Sequence, residues 1–189
     1  MHCSISKRRS DCFFHICILV VHSGGRLFAL MPPITALLHT ENDGLRLGRT
    51  LEMLLPCDEF LIIDHGSSDD TCGIARRYGA YILRGDNRAA PTQYLDQAHN
   101  EWVLCMEAGE SINEHLQASL FEWSVRRNVG DAVAHSVYVR EQTVAGQWLQ
   151  LAPVTRLVPR SWGQWHKRLP KHDPSAAPLE GELLRFAWP

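Results

Sequence analysis

Two carboxylates, Glu107 and Glu110, follow directly on an apolar run in the stretch Trp102–Ser111, WVLCMEAGES. Acids at the end of a buried strand can hold a metal ion or hydrogen-bond a polar substrate. The alternative is a turn whose acids favour the dipole of the helix that follows. A second apolar run, Phe60 to Ile63, stops at Asp64 and continues His65-Gly66-Ser67-Ser68-Asp69-Asp70-Thr71. An acid at a strand end, a glycine turn and a capped helix can hold a nucleobase or ribose through hydrogen bonds. Asp69 and Asp70 fit the cap and first turn of that helix, and His65 an exposed turn.

Alternating strands and helices would position these groups. Ile34–His39 is a short apolar run of the kind found in buried parallel strands. Leu47, Leu51, Leu54 and Leu55 recur at helical spacing behind Asn42 or Asp43 as cap, and Pro56 closes the helix. Glu59–Ile63 is a second strand. Ile74, Ala75 and Tyr78 form the face of a second helix, with Gly79 as its C′ residue. Ala80–Leu83 is a third strand, Pro91–His99 a helix with proline in its first turn, and Trp102–Met106 a fourth strand. Ser111–Glu114 fits a capping box before a helix carrying Leu116, Leu120 and Trp123. Strand–helix alternation from 34 to about 126 predicts an α/β fold with a mostly parallel sheet flanked by helices. Ligands of such sheets bind beyond the carboxyl ends of the strands. Those ends carry Thr40–Asp43, Asp64–Ser68, Arg84–Arg88 and Glu107–Ser111. The remainder predicts a short β-rich part: Ala132–Arg140, then Gln147–Leu151 and Val154–Val158 separated by Ala152-Pro153, then Leu183–Phe186.

The totals set outer limits. The 189 residues suit one domain, and 45% hydrophobic with 21% charged residues is an ordinary globular composition. A formal net charge of −2 gives no support for nucleic-acid binding. Six cysteines contain no CxxC pair, which disfavours structural zinc and fits a reducing, cytoplasmic setting. The apolar run 13–21 after Lys7-Arg8-Arg9 is shorter than the roughly 20 residues needed to span a bilayer, so no transmembrane segment is expected. Residues 1–30 fit an extension, disordered or arising from an upstream start. Residues 31–189 then form a single domain, with an alternating half at 34–126 and a short β-rich half at 127–189.

The segment from Asp64 through Ser67, Asp69 and Thr71, continuing into Ile74-Ala75-Arg76-Arg77-Tyr78-Gly79-Ala80, resembles the family 2 glycosyltransferases of the GT-A fold. Ile34–Asp43 is similar to the family's first strand and its polar end. The resemblance implies transfer of a sugar from a UDP- or other NDP-sugar to an acceptor hydroxyl, with inversion. It implies donor contacts from Thr40, Asn42, Asp64 and Glu107. WVLCMEAGES lies where the family carries Asp-x-Asp, which implies Mg²⁺ or Mn²⁺ on Glu107 and Glu110. Glu replaces the first Asp, however, and Gly109 the second. Thr155-Arg156-Leu157-Val158-Pro159-Arg160 and His172-Asp173 look like a later Arg…His-acid pattern of some members. That implies Arg156 against the diphosphate and Asp173 as general base, or a His-Asp pair that only organises a loop. The acceptor would be a saccharide or a lipid-linked molecule, reached from the cytoplasm or the inner membrane face. A fold that keeps nucleotide or partner binding without catalysis is the alternative. A nucleotidyltransferase ranks lower, because Thr40–Gly44 lacks a Gly-rich basic loop.

Overall fold

The computed structural model describes residues 33–86, 88, 90–125 and 132–187. The expected extension at 1–30 lies outside the described residues. In chain order the elements are β1 (Ile34–Thr40), α1 (Gly44–Met53), β2 (Glu59–Asp64), α2 (Thr71–Arg77), β3 (Tyr81–Arg84), α3 (Thr92–Leu95), β4 (Trp102–Glu107) and β5 (Glu110–Ile112). Then follow α4 (Glu114–Val125), β6 (His135–Gln142), β7 (Trp148–Pro159), β8 (Trp165–His166), β9 (Leu169–Pro170) and β10 (Ala177–Arg185).

Eight strands form one sheet in the order β3-β2-β1-β4-β7-β6-β10-β5, and β8 pairs with β9 alone. The first four strands are all parallel, as their βα alternation requires. β7 joins β4 antiparallel, β6 joins β7 antiparallel, and β10 runs parallel to β6. The fold is thus the α/β, mostly parallel sheet with a β-rich end that the alternation predicts.

β1 lies at the middle of the parallel block and is buried at every residue, which is why ITALLHT lacks polar alternation. Its side chains divide between two layers. Ile34, Ala36 and Leu38 pack with Leu47, Leu51, Leu116 and Leu120 under α1 and α4. Leu37 packs with Leu61, Ile63, Val103 and Cys105 on the other face, under Tyr94, Leu95 and Trp162. Each fully buried Leu or Ile contributes about 1.5–3 kcal/mol.

Gly79, at φ 72°, ends α2 with its N–H on the Arg76 carbonyl, as the C′ reading predicts. Asp43 precedes α1 but makes no side-chain cap. The Gly44 N–H instead donates to Asp69 Oδ2 at 3.0 Å, while Asp69 Oδ1 accepts the Thr71 N–H at 3.0 Å. One acid therefore serves the starts of two helices.

Four expectations need correction. The helix expected at Pro91–His99 contracts to α3, because Gln97 and Ala98 donate three residues back and tighten the chain into turns. Ser111 and Ile112 belong to β5, so the cap of α4 is Asn113, whose Oδ1 accepts the Leu116 N–H at 2.9 Å. Gln147–Leu151 and Val154–Val158 are one strand, β7. The pairing with β6 slips by a residue between Leu151 and Val154, and this bulge accommodates Ala152-Pro153. The last strand is the nine-residue β10, longer than Leu183–Phe186.

Only Ala108 and Gly109 separate β4 from β5, yet β5 lies at the far edge beyond β10. A two-residue link spans at most about 11 Å. The strands β4-β7-β6-β10-β5 must therefore coil until the last returns beside the first. Glu110 sits where that coil closes.

Candidate functional site

A cavity of about 640 Å³ opens over the carboxyl ends of β1 and β4. His39, Thr40 and Asp43 line it from the β1 side, Glu107 and Glu110 from the β4–β5 turn, and Arg185 from β10. A second cavity of about 610 Å³ adjoins it between β7, the β8–β9 hairpin and β10, with Arg156 in its wall. Glu107, Arg168 and Arg185 border both.

The loops after β1 and β2 are stitched together. Asn42, at φ 57°, accepts the Ser68 N–H on Oδ1 at 2.8 Å and donates its own N–H to Ser67 Oγ at 2.9 Å. The Asp64 carboxylate accepts the Ser67 N–H at 3.2 Å and the Ser67 hydroxyl at 2.5 Å, closing its own turn. The Thr40 hydroxyl donates to Asp43 Oδ2 at 3.1 Å. Among the expected donor contacts, Thr40 and Glu107 meet in the first cavity, and Glu107 and Arg156 in the second. Asn42 and Asp64 shape the loops beside them and border neither cavity.

Glu110 is only 2% exposed. Its Oε1 accepts Arg156 Nη2 at 2.8 Å and Arg185 Nε at 3.0 Å, and its Oε2 accepts the Glu107 N–H at 3.0 Å. Arg156 is equally buried, and its Nε has no hydrogen-bond partner among the described residues. A hard cation needs several oxygen ligands with negative charge to spare. Here two guanidinium groups already engage Glu110, and Gly109 supplies no side chain. The described residues contain no group of three or more His, Cys, Asp or Glu side chains that could hold a metal. Of the two expected metal ligands, Glu110 is thus engaged by arginine, while Glu107 lines the cavity. The positive charge at this place comes from arginine.

Asp173 borders neither cavity. Its Oδ1 accepts the Ser175 hydroxyl at 2.7 Å and N–H at 2.8 Å, and these bonds hold its carboxyl below the ordinary range. Such a carboxylate is a weakened base.

Sequence reasoning missed the histidines. His65, expected as an exposed turn residue, is half-buried and stacks on His39, with ring centroids 5.2 Å apart. His39 Nδ1 lies 2.9 Å from His65 Nε2, so one ring donates to the other and the accepting ring is neutral in that contact. Burial, then His65 and then Arg168 pull the His39 pKa down to about 3. Burial and Arg168 lower that of His65 as well. The only sequence hint was that His39 and His65 end adjacent strands.

No family model matches the chain. The chain is similar to a TPR repeat-containing protein of Synechococcus elongatus, 35% identical over 107 residues, which are 53% of this chain and 24% of that protein. It is also similar to an uncharacterized glycosyltransferase of Rickettsia prowazekii, 28% identical over 95 residues, 46% of this chain and 31% of that protein. The chain thus spans a third or less of the length of either relative. Among solved structures, it is similar to the glucosyl-3-phosphoglycerate synthase of Mycobacterium tuberculosis in complex with Mn²⁺, UDP and glucosyl-3-phosphoglycerate, with a TM-score of 0.43 and 15% identity over 65% of this chain and 50% of that one. The described residues include no helix long and apolar enough to cross a membrane. Over about half of its length the chain is thus similar in sequence to a rickettsial protein named an uncharacterized glycosyltransferase, and its parallel block ends in a strand-end cavity.

Proposed function

We propose that the chain transfers a sugar from a nucleotide-sugar donor, UDP- or another NDP-sugar, to an acceptor hydroxyl, with inversion. The observation that carries this reading is the pair of adjoining cavities at the strand ends with one carboxylate, Glu107, on both. The donor would lie in the first cavity, its base toward the Asn42–Asp64 loops and its sugar near Thr40 and Glu107. Arg185 and Arg156 would offset the charge of the departing diphosphate, the task that a metal performs elsewhere. The acceptor would enter the second cavity. Its hydroxyl proton would pass to Glu107 as its oxygen attacks the anomeric carbon and the carbon–oxygen bond to the diphosphate breaks. Glu107 takes this role in preference to Asp173 because it borders both cavities. The setting would be the cytoplasm or the inner membrane face, and the acceptor a saccharide or a lipid-linked molecule.

Calorimetry with UDP, in Mn²⁺ and in EDTA, tests donor binding, and release of UDP from UDP-sugars tests turnover. The expected result is UDP binding that survives EDTA. Glu107→Gln is expected to lower turnover about 100-fold or more, with UDP affinity nearly unchanged, whereas Asp173→Asn keeps most of it. Absence of UDP binding under both conditions would sink the proposal. A second reading, a nucleotide-binding module without catalysis, is favoured by the arginine-bound Glu110. Its signature is UDP binding with no turnover of any UDP-sugar.

A further inference from the structure

The second cavity carries more positive charge than the Arg156 and Arg185 that the transfer reaction would use. Arg156, Lys167, Arg168, Lys171 and Arg185 border it, with Glu107 the only carboxylate on its wall among the described residues. Glu110 meets Arg156 and Arg185 from behind, and Glu141 lies 3.8 Å from Arg185. Even with these counted, cations outnumber carboxylates five to three among the described residues that border the cavity or contact those cations. His166 and His172 add imidazoles to the same wall.

The chain goes out of its way to place two of these cations. Lys167 and Arg168 are the two-residue turn between β8 and β9, whose strands pair Trp165 with Pro170 and His166 with Leu169. Lys167 has φ 55°, a left-handed backbone that glycine or asparagine adopts with less strain. Its neighbour Lys171 is fixed by its N–H on the Gln164 carbonyl at 2.9 Å. Behind them stands the buried Arg156, whose Nε–H is unpartnered among the described residues. Like charges gathered in one concavity repel until an anion neutralises them, and a low-dielectric wall concentrates their field.

We infer that this cavity binds an anionic acceptor, one bearing a phosphate ester, with Lys167, Arg168 and Lys171 as its recognition residues. The word acceptor rests on the transferase reading; the anion site does not. A phosphate monoester carries a charge of about −1.5 to −2 near neutral pH and three acceptor oxygens, which suits several converging donors. The volume, about 610 Å³, accommodates a sugar-sized molecule attached to it. The phosphate could be that of a soluble sugar phosphate or of a lipid headgroup.

Glucose 6-phosphate and glucose are titrated calorimetrically into the full chain, free and saturated with UDP. Vesicles of phosphatidylcholine with and without phosphatidic acid, whose headgroup is a phosphate monoester, are sedimented with it in parallel. The test variant is K167M/K171M, at two exposed positions, with its fold checked by circular dichroism. The expected result is that glucose 6-phosphate binds and glucose does not, that added salt weakens binding, and that the double substitution costs at least about tenfold. UDP affinity stays within twofold. Binding to phosphatidic acid vesicles alone, lost in the variant, supports the lipid-borne form. The inference is overturned if neither probe binds, if the variant binds as well as the parent, or if UDP displaces glucose 6-phosphate and so assigns the cations to the donor. Failure to bind UDP would end the transferase reading, while glucose 6-phosphate binding to the free chain still decides the anion site.

Discussion

His39 shows how one residue can link stability to the site. It is 4% exposed at the end of β1, borders the first cavity and touches His65 and the edge of Tyr94. Its folded pKa of about 3 lies below the ordinary value of 6.5, first through burial and then through His65 and Arg168. The unfolded chain therefore takes up a proton as pH falls through 6.5, while the folded chain does not until about 3. Protonation favours the unfolded state across that window. Stability is full above about pH 6.5 and falls below it, with a slope of up to about 1.4 kcal/mol per pH unit from this histidine. His65 adds in the same direction. Urea midpoints measured between pH 7.5 and 4.5 should drop steeply for the parent and less steeply for His39→Gln. Parallel pH profiles would show that the pair does not control acid stability.

At the scale of elements, β10 depends on a close approach that no other residue allows. Gly181 has φ 96°, and a Cβ there would lie 2.0 Å from the Leu116 backbone nitrogen at the start of α4. Nearby, the Glu182 N–H donates to Asn113 Oδ1 at 3.0 Å, so the helix cap and the strand share one residue. Gly181→Ala must move α4 away from β10. It is expected to cost more than about 3 kcal/mol, beyond the usual overpacking penalty of about 1–3 kcal/mol, because the obstacle is backbone. Thermal melts read this directly. β10 also shows why part of the fold was illegible. APLEGELLR contains a proline, a glycine and no steady alternation, and its ladder is irregular between Pro178 and Glu182. The parallel block was legible because each of its strands is an apolar run ended by a polar residue, and β1, β2 and β3 each lead into a helix. The loop residues Thr40, Asn42 and Asp64 stood out for the same reason. The roles of Glu110 and Arg156 did not, because their hydrogen bond joins residues 46 positions apart and no local pattern encodes it.

For the whole molecule, that bond is the fastening of the coiled sheet. Glu110 lies on β5, Arg156 on β7 and Arg185 on β10, so one buried carboxylate ties three strands and brings the far edge back to β4. Burying the pair is costly in itself, and its net contribution against a well-packed apolar pair is small. Removing one partner is different, because it leaves a charge in a place that water does not reach. Arg156→Met leaves Glu110 with Arg185 alone, and Arg185 is one-third exposed. The expected loss is about 3–5 kcal/mol, read as a lower urea midpoint. Glu110→Gln should cost a similar amount by stranding Arg156. The double substitution E110Q/R156M should be less destabilising than the sum of the two, because no unpaired charge remains between them. The cycle also separates architecture from chemistry. If Glu110 held a metal in the working protein, E110Q would abolish Mn²⁺-dependent binding of UDP even where the fold survives. If it fastens the sheet, the double variant should regain its melting transition, and its UDP affinity should be the same in Mn²⁺ and in EDTA, lowered only by what Arg156 contributes at the diphosphate. Additive losses across the cycle would mean that the pair is not a unit, and that the coil is closed by its apolar residues alone.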